Sequence, residues 1–396
     1  MDNSQYGSPS AEWRSYSSSH PELKMDEDGF NDFGPGPGQF PNPTALRDAV
    51  NAAREEASRS FLSASGLDRK VSVETHDVPT RDGSTIPVRI YRPLSKTNPS
   101  SPSSTNHTTS SQKSQPAYLY FHGGGMLFGT VATEDFSCIS WSLALGFPVI
   151  SVCYRHTPDF TFPTQIHDAW DSFEWVIQNA DKLGVDPESI VVGGISAGGC
   201  LTASILYTET RLAREQKRRN RVRGQLLIIP WLIHRDAYPL GLFKEEACCS
   251  MVQCRDAPIL PKPRYDMFTD LFKVEKPKEE RLMNVGLATE EELQGMPDTA
   301  FIVCGWDMLR DEAFVYADKL ERLGVRTKKH IFPGLPHAFR KYPDLPSSKR
   351  WDDLTVESVQ WLLRDDSAKG DEKGVWKTEI PDESTTGESA GAAGSL

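Results

Sequence analysis

The residues best suited to chemistry in this sequence surround a serine in a glycine-flanked turn. Residues 194–198 read Gly-Ile-Ser-Ala-Gly, with Ser196 at the centre. An apolar run at 190–192 precedes this turn, and a stretch suited to a helix, residues 200–207, follows it. A strand, a tight turn and a helix in this order form an elbow that exposes the serine hydroxyl as a nucleophile. The motif is a weak signal alone, so its interpretation depends on its partners.

A second motif offers the hydrogen-bond donors that acyl transfer requires. The apolar run 117–121 is followed directly by His122, Gly123, Gly124 and Gly125. Acyl transfer places negative charge on the substrate oxygen, and backbone N–H groups of glycines can surround it as an oxyanion hole, each donor contributing about 3 kcal/mol. Ala197 offers a further N–H because it directly follows the serine. His122 is predicted to be structural, packing beneath this loop.

Two later residues complete a set for nucleophilic catalysis. A serine hydroxyl needs a base to take its proton and a carboxylate to orient that base. Asp307 follows the apolar run 300–304, and His337 follows the run 327–331. Both therefore come just after the carboxyl end of a predicted strand, where open α/β sheets collect their active sites.

Three other residues compete for the roles of acid and base. Asp311 and Glu312 are close to Asp307 in sequence, but they begin a predicted helix, where carboxylates stabilise the helix dipole. His330 belongs to the predicted strand itself, whereas His337 lies in a Gly/Pro-containing loop that can reach over the elbow. The predicted nucleophile is therefore Ser196, the predicted base is His337, and the predicted carboxylate that orients this base is Asp307.

Taken together, these motifs resemble the hormone-sensitive lipase family of α/β-hydrolases. Segments 154–158 and 162–163 are also similar to that family, and the resemblance extends from about residue 45 to 365. The chain order of nucleophile, acid and base is that of the α/β-hydrolase fold. The resemblance implies a lid built from an N-terminal helix and an inserted segment, broad carboxylesterase activity and no cofactor. Departures from the family pattern occur at Ile195, His156 and Thr157.

The elements that carry these motifs alternate between strand and helix. An Asp-Gly pair at 82–83 predicts a hairpin between strands at 71–78 and 85–91. Apolar runs without alternation, which suit strands buried on both faces, occur at 117–121, 148–154, 189–193, 225–229, 300–304 and 327–331. Helical periodicity separates them. We predict an α/β-hydrolase fold with a mostly parallel central sheet, flanking helices and a helical lid.

Composition divides the chain into a catalytic domain and two tails. Residues 1–42 and 366–396 are rich in small and polar residues and are predicted to be disordered. Residues 43–365 form the predicted catalytic domain, with a Ser/Thr-rich loop at 95–115.

Two segments of the catalytic domain are assigned to the lid. One is the amphipathic stretch at about 43–65, and the other is the segment 231–285, which interrupts the alternation of strand and helix. We take the second segment as an insertion above the sheet that packs against the first. Two interpretations are open for the apolar residues of the insertion, which either line an acyl pocket or form the core of the insertion itself: Phe243, Met251, Phe268, Leu271 and Phe272.

Charge and composition restrict the possible partners. The 396 residues carry a formal net charge of −11, which disfavours nucleic acid and anionic membranes. No stretch approaches the ~20 apolar residues of a membrane span, and the first residues do not resemble a secretory signal, so a cytoplasmic location is predicted. Seven cysteines without a CxxC pair indicate reduced thiols. The predicted partner is a small-molecule ester, with neither metal nor cofactor.

The predicted function is a serine carboxylesterase that forms an acyl-enzyme on Ser196. One alternative is a hydrolase-like small-molecule receptor without turnover, although such a protein is expected to lose a triad member. The other is a nucleotide-binding oxidoreductase, in which Gly123, Gly125 and Gly129 form a dinucleotide loop and Arg155 meets a 2′-phosphate. That alternative leaves the order of the triad and the elbow unexplained.

Overall fold

The computed structural model describes residues 1–23, 42–94, 114–365 and 375–380. Within them, one sheet has the strand order β1-β2-β4-β3-β5-β6-β7-β8-β9. Its strands are β1 Val71–Pro79, β2 Thr85–Pro93, β3 Gln115–Phe121, β4 Val149–Val152, β5 Val185–Ile195, β6 Gly224–Ile228, β7 Thr299–Trp306, β8 Thr327–Pro336 and β9 Lys377–Thr378. The predicted Ser/Thr-rich loop lies outside the described residues except for its last two positions.

In this order, all neighbouring strands between β4 and β9 are parallel. Strand β2 pairs antiparallel with β1 and with β4. The hairpin predicted at the Asp-Gly pair is present, because Pro79 pairs with Thr85. The predicted mostly parallel sheet is therefore confirmed.

Helices cover both faces of this sheet. In the described residues they are α1 Ala11–Ser19, α2 Pro43–Ser65, α3 Asp135–Leu145, α4 Thr164–Gln178, α5 Ala180–Leu183, α6 Ala197–Glu215, α7 Ser250–Gln253, α8 Lys262–Phe272, α9 Glu290–Leu293, α10 Arg310–Arg322 and α11 Pro346–Leu363. Leu119 of β3 belongs to the core with α4, α6 and α10, whereas Tyr118 and Tyr120 belong to the core with α3 and α11. Successive strand residues point to opposite faces, which explains the unbroken apolar runs.

The first 23 residues correct the prediction of a disordered tail over 1–42. Ser10 caps α1 by accepting the Trp13 N–H at 3.0 Å, and the Trp13 side chain is buried against Trp306. The prediction was wrong here because average composition conceals single large aromatic residues, each of which buries enough surface to order a short segment. Residues 24–41 of the predicted tail lie outside the described part of the chain.

The predicted disordered tail at 366–396 also needs correction, at residues 375–380. These residues add β9 to the edge of β8, and the N–H of Glu379 donates to a β8 carbonyl at 2.8 Å. The Trp376 ring stacks on Phe314 with 4.1 Å between ring centroids. The backbone pairing and this stacking stabilise a segment whose composition alone predicts no order. The remainder of the predicted tail lies outside the described residues.

The carboxylate of Glu379 holds β9 through two side chains. Its oxygens lie 2.7 Å from His330 Nδ1 and 2.8 Å from Arg350 Nε. Burial alone raises the pKa of Glu379, but the hydrogen bonds of His330 and Arg350 outweigh it and lower this pKa to about 2. A carboxyl with a lowered folded-state pKa contributes stability above its unfolded pKa, and that contribution is lost as the pH falls through the folded pKa.

We therefore expect Glu379→Gln to lower the Tm at pH 7, and the Tm difference from wild type to shrink between about pH 4.5 and pH 2. Differential scanning calorimetry of both proteins across this range measures the difference. Glu357→Gln is the matched control, because Glu357 also contacts Arg350 but is not bonded to His330 in the described structure. A Tm difference that stays constant down to pH 2 would contradict the assignment.

The two predicted lid segments both contact the loop that follows β3. In α2, Asn51 Oδ1 accepts the Gly129 N–H at 2.8 Å, and Arg54 pairs with Glu134 at 2.8 Å. In α8, the ring of Phe268 lies where a side chain on residue 125 would project. The hydrogen bonds of α2 thus reach the loop after β3 rather than the insertion. The assignment of both segments as a lid stays a prediction.

The cysteines and helices bear on two further predictions. All seven cysteines lie in the described residues and all are free thiols, as predicted. No helix within the described ranges combines the length and the apolar character needed to cross a bilayer.

Candidate active site

Ser196 occupies a strained turn between β5 and α6. Its φ and ψ are 55° and −114°, a combination that costs free energy for a residue with a side chain. Backbone hydrogen bonds to residues outside the turn help to hold it: the Ser196 N–H donates to Ile228 O at 2.9 Å, and the Trp231 N–H donates to Ser196 O at 3.1 Å. A Cβ on Gly198 would lie 2.0 Å from the carbonyl oxygen of Phe121, so only glycine fits beside β3. The predicted elbow is present.

The three predicted triad residues come together around this turn. His337 Nε2 lies 3.0 Å from Ser196 Oγ, and His337 Nδ1 lies 2.7 Å from Asp307 Oδ2. Asp307 is 1% exposed, and its second oxygen accepts the Leu309 N–H at 2.9 Å. With the Nδ1 proton directed at Asp307, the lone pair of Nε2 faces the serine proton. This is the arrangement that general-base activation of a serine requires.

The competing acids and base have other partners. His330 is buried on β8 between β7 and β9, and its Nδ1 lies 2.7 Å from Glu379. Asp311 accepts the Ser250 N–H at 2.7 Å and pairs with the buried guanidinium of Arg310. Glu312 accepts N–H groups from residues 232 and 233. Asp311 and Glu312 do lie in the first turn of α10, as predicted, but their hydrogen bonds hold backbone of the 231–285 segment.

Glu312 supports the elbow from below, a role that sequence analysis missed. Its carboxylate binds the N–H groups of Leu232 and Ile233, next to Trp231, which bonds the carbonyl of Ser196. Burial raises the pKa of Glu312 well above its usual value, against the lowering effect of these backbone bonds. The sequence carried one signal for it, a second carboxylate directly after Asp311 at the start of a helix.

The glycine-rich loop after β3 runs past the nucleophile. A Cβ on Gly123 would lie 3.5 Å from the Cβ of Ser196, which shows how closely the two backbones approach. In the described structure, the N–H groups of the three loop glycines donate to no other protein group. Their carbonyl side is engaged instead, since Leu127 and Phe128 N–H both donate to Gly124 O. Of the three glycines, Gly123 therefore offers an unpaired N–H on backbone that closely approaches Ser196.

His122 is buried beside the glycine-rich loop, and its structural role stays a prediction. It is fully buried, its ring stacks on Tyr154 at 4.5 Å, and Nδ1 lies 3.0 Å from Gly123 O. The Tyr154 hydroxyl donates to the His122 carbonyl at 2.9 Å. Burial lowers the pKa of His122, so the ring is neutral at pH 7. These contacts shape the loop from behind.

The predicted acyl-pocket residues separate into different groups. Phe268 lies on the glycine-rich loop and packs edge-on against Phe128, with 5.6 Å between ring centroids. Phe243 stacks on Tyr238 within the insertion, and Phe272 packs against Phe162. Of the three phenylalanines, Phe268 is therefore the one that packs on the glycine-rich loop.

The side chain of Arg155 argues against the dinucleotide alternative. Its guanidinium pairs with the buried carboxylate of Asp168 at 2.6 Å and with Asp82 at 2.6 Å. An arginine that is held by two carboxylates is not available for a 2′-phosphate.

Comparison with known proteins decides the family. A sequence model of a family described as "alpha/beta hydrolase fold" matches residues 118–341, more than half of the chain. The chain belongs to the hormone-sensitive lipase-like family of α/β-hydrolases. Esterases recur among its relatives and its structural neighbours, and this α/β-hydrolase is a carboxylic ester hydrolase.

Three comparisons illustrate how far the similarity extends. Ethyl acetate hydrolase of Pseudomonas putida is 29% identical over 304 residues, covering 76% of this hydrolase and 85% of the relative. Versiconal hemiacetal acetate esterase of Dothistroma septosporum is 28% identical over 248 residues, covering 63% and 74%. The crystal structure of vibralactone cyclase aligns with a TM-score of 0.74 at 25% identity, covering 91% and 96%.

Two of the residues at which this α/β-hydrolase departs from the family pattern lie behind the oxyanion loop. The ring of His156 stacks on His122 at 5.3 Å, and burial lowers the pKa of His156 well below its usual value. The Thr157 N–H donates to Met126 O at 2.9 Å. Both substitutions therefore contact the support of the loop rather than the triad.

Proposed function

We propose that this enzyme hydrolyses esters of small molecules through a covalent acyl-enzyme on Ser196. The observation that carries the proposal is the continuous hydrogen-bonded chain from Ser196 through His337 to Asp307, at 3.0 Å and 2.7 Å. Hydroxyl, imidazole and buried carboxylate are then arranged in the order that proton removal from the serine requires.

In the proposed mechanism, Ser196 Oγ attacks the ester carbonyl carbon while His337 Nε2 takes the hydroxyl proton. The oxyanion receives hydrogen bonds from backbone N–H groups, drawn from Gly123, Gly124, Gly125 and Ala197. Asp307 stabilises the imidazolium, which then protonates the leaving alcohol as the ester C–O bond breaks. Water attacks the acyl-enzyme with His337 as base, and the carboxylic acid and free Ser196 are regenerated.

The proposed substrates are esters with short acyl groups. Two relatives carry acetate esters in their names, ethyl acetate hydrolase and versiconal hemiacetal acetate esterase. We propose that α2 and the insertion form the lid over the site. Phe268 of the insertion packs on the oxyanion loop and limits the space beside the acyl carbonyl. The cytoplasmic location stays a prediction.

Labelling with a fluorophosphonate, together with hydrolysis of p-nitrophenyl esters from acetate to palmitate, tests the proposal. We expect labelling and turnover in wild type, and neither in Ser196→Ala. Ser204→Ala is the matched control, because this buried serine lies on α6, the helix that follows the elbow, but its hydroxyl donates to the carbonyl of Leu282. Labelling that survives in Ser196→Ala would reject this serine as the nucleophile, and ligand binding without turnover would favour a receptor.

We expect Phe268→Ala to shift the preference from acetate towards longer acyl chains. Removing the ring opens space beside the oxyanion loop, so the ratio of kcat/KM for octanoate over acetate should rise about tenfold. The same p-nitrophenyl ester series measures this ratio. Phe243→Ala serves as the control, since Phe243 packs on Tyr238 within the insertion. An unchanged ratio in Phe268→Ala would place the acyl pocket elsewhere.

A further inference from the structure

The N-terminal segment, residues 1–23, packs against the ends of β7 and β8, the strands that directly precede Asp307 and His337. It lies outside residues 118–341, the span matched by the family model, and sequence analysis assigned it to a disordered tail. Its contacts include Gly305, Trp306 and Gly334, which lie within three residues of Asp307 or His337. These contacts are built from backbone hydrogen bonds and buried aromatic rings.

Near the end of β8, which directly precedes His337, the segment packs against Gly334. The Ser10 N–H donates to Gly334 O at 2.9 Å. Gly334 has φ +64°, and a Cβ there would lie 2.3 Å from Ser8 O and 2.4 Å from Ser10 N. No other residue type fits this close backbone contact. The segment therefore touches the chain three residues before His337.

At the end of β7, the segment packs against Gly305 and Trp306, the two residues before Asp307. A Cβ on Gly305 would lie 2.3 Å from the carbonyl oxygen of Tyr6. The Trp13 ring meets the ring of Trp306 edge-on at 6.4 Å, and Trp306 directly precedes Asp307. The segment thus contacts the ends of both strands, β7 and β8, that directly precede Asp307 and His337.

Trp13 is the residue that joins the two sides. Its side chain is 4% exposed and contacts Trp306 before the acid and Tyr342 after the base, at 6.4 Å and 5.8 Å between ring centroids. The neighbouring Glu12 accepts the N–H and the hydroxyl of Ser347 at 2.9 Å and 2.7 Å. These bonds attach α1 to the start of α11, so Trp13 is held from a third side.

The same segment is anchored to the insertion and to the helix after the acid. Gln253 Nε2 donates to Ser4 O at 2.8 Å. Asn3 Nδ2 donates to Asp311 Oδ1 at 3.3 Å, and Asp311 in turn accepts the Ser250 N–H. The N-terminal segment therefore contacts the end of β7, the end of β8 and the insertion at once.

We propose that the N-terminal segment fixes the relative position of the ends of β7 and β8, and thereby of Asp307 and His337. Trp13 is its main positioning residue. The inference rests on the proposed triad, because it concerns how Asp307 and His337 are aligned. A displacement of about 1 Å in such an arrangement costs on the order of 10²-fold in rate, although Trp13 touches neither substrate nor triad. Loss of Trp13 should lower kcat while leaving substrate binding largely intact.

The full-length variants Trp13→Ala and Trp13→Phe test this role. In Trp13→Ala we expect kcat for p-nitrophenyl acetate, and the rate of fluorophosphonate labelling, to fall about 10- to 100-fold with KM within about threefold. Trp13→Phe keeps an aromatic ring between Trp306 and Tyr342 and should recover most of the loss. Trp175→Ala is the control for removal of a tryptophan elsewhere in the fold, because the half-buried Trp175 lies on α4 and packs against His76 of β1. Its labelling rate should match wild type.

A purely structural role for Trp13 predicts a different result. The Tm of Trp13→Ala would then fall, while kcat per folded molecule and labelling rate stayed within twofold of wild type, and the proposal would be overturned. If Trp13→Ala does not fold, Glu12→Ala removes the link to Ser347 and should lower kcat about threefold or more, with no change also overturning the proposal. Failure of wild type to label would count against Ser196 itself rather than against the N-terminal segment.

Discussion

His337→Ala and Ser196→Ala should each lower kcat for p-nitrophenyl esters by at least ~10⁴. His337 Nε2 is 3.0 Å from Ser196 Oγ, so removing either group leaves the other without a partner for proton transfer. The residual rate should exceed the uncatalysed reaction, because the oxyanion donors and the binding site remain. Steady-state kinetics over a range of ester concentrations measures kcat and KM separately.

The triad should also behave as a unit. The double variant Ser196→Ala/His337→Ala is expected to be no slower than the worse of the single variants, because each single change already abolishes the proton transfer. His330→Ala is the control, since His330 lies on β8 between β7 and β9 and bonds Glu379, and its kcat per folded molecule should match wild type. A loss of less than tenfold in His337→Ala would reject His337 as the base.

Arg310→Met is expected to lower the free energy of unfolding by about 3–5 kcal/mol. The side chains of Arg310 and Asp311 are both 0% exposed and pair at 2.8 Å, so the variant leaves a buried carboxylate without its cation. Arg310 also donates to Gln253 Oε1 at 2.9 Å and to Gly305 O at 3.1 Å, tying the insertion to the acid loop. Urea unfolding followed by intrinsic fluorescence measures the change.

A surface ion pair on the same helix provides the comparison for Arg310. Arg322 pairs with Glu290, and their side chains are 56% and 50% exposed. Arg322→Met should cost no more than about 1 kcal/mol, because solvent screens an exposed pair. Equal destabilisation by the two variants would mean that burial of the Arg310 pair contributes little.

Much of the site could be predicted from the sequence because its signals are local. The elbow at 194–198 and the glycine-rich loop at 122–125 are short motifs whose backbone geometry depends on the residues within them. The strands were recognisable because apolar runs without alternation suit a sheet covered on both faces, as the opposite cores of Leu119 and Tyr118 illustrate.

Other features depend on contacts between residues that are distant in sequence. Glu12 bonds Ser347 across 335 positions, and Trp376 stacks on Phe314 at 4.1 Å. Composition averaged over a tail cannot detect such contacts, because a single aromatic ring is enough to order a short segment when a complementary surface exists. Both predicted tails were therefore wrong where the structure describes them.

By itself, the sequence determined the residue types of the nucleophilic centre, the order of strand and helix, and the loops on which acid and base candidates lie. The sequence favoured His337 over His330 because His337 follows the strand that contains His330, but only the tertiary structure shows that His337 comes within 3.0 Å of Ser196. The tertiary structure also decided that Asp307 is the partner of that histidine, at 2.7 Å. The physical reason is that these distances depend on how β7 and β8 pack beside β5 and β6, which no local pattern encodes.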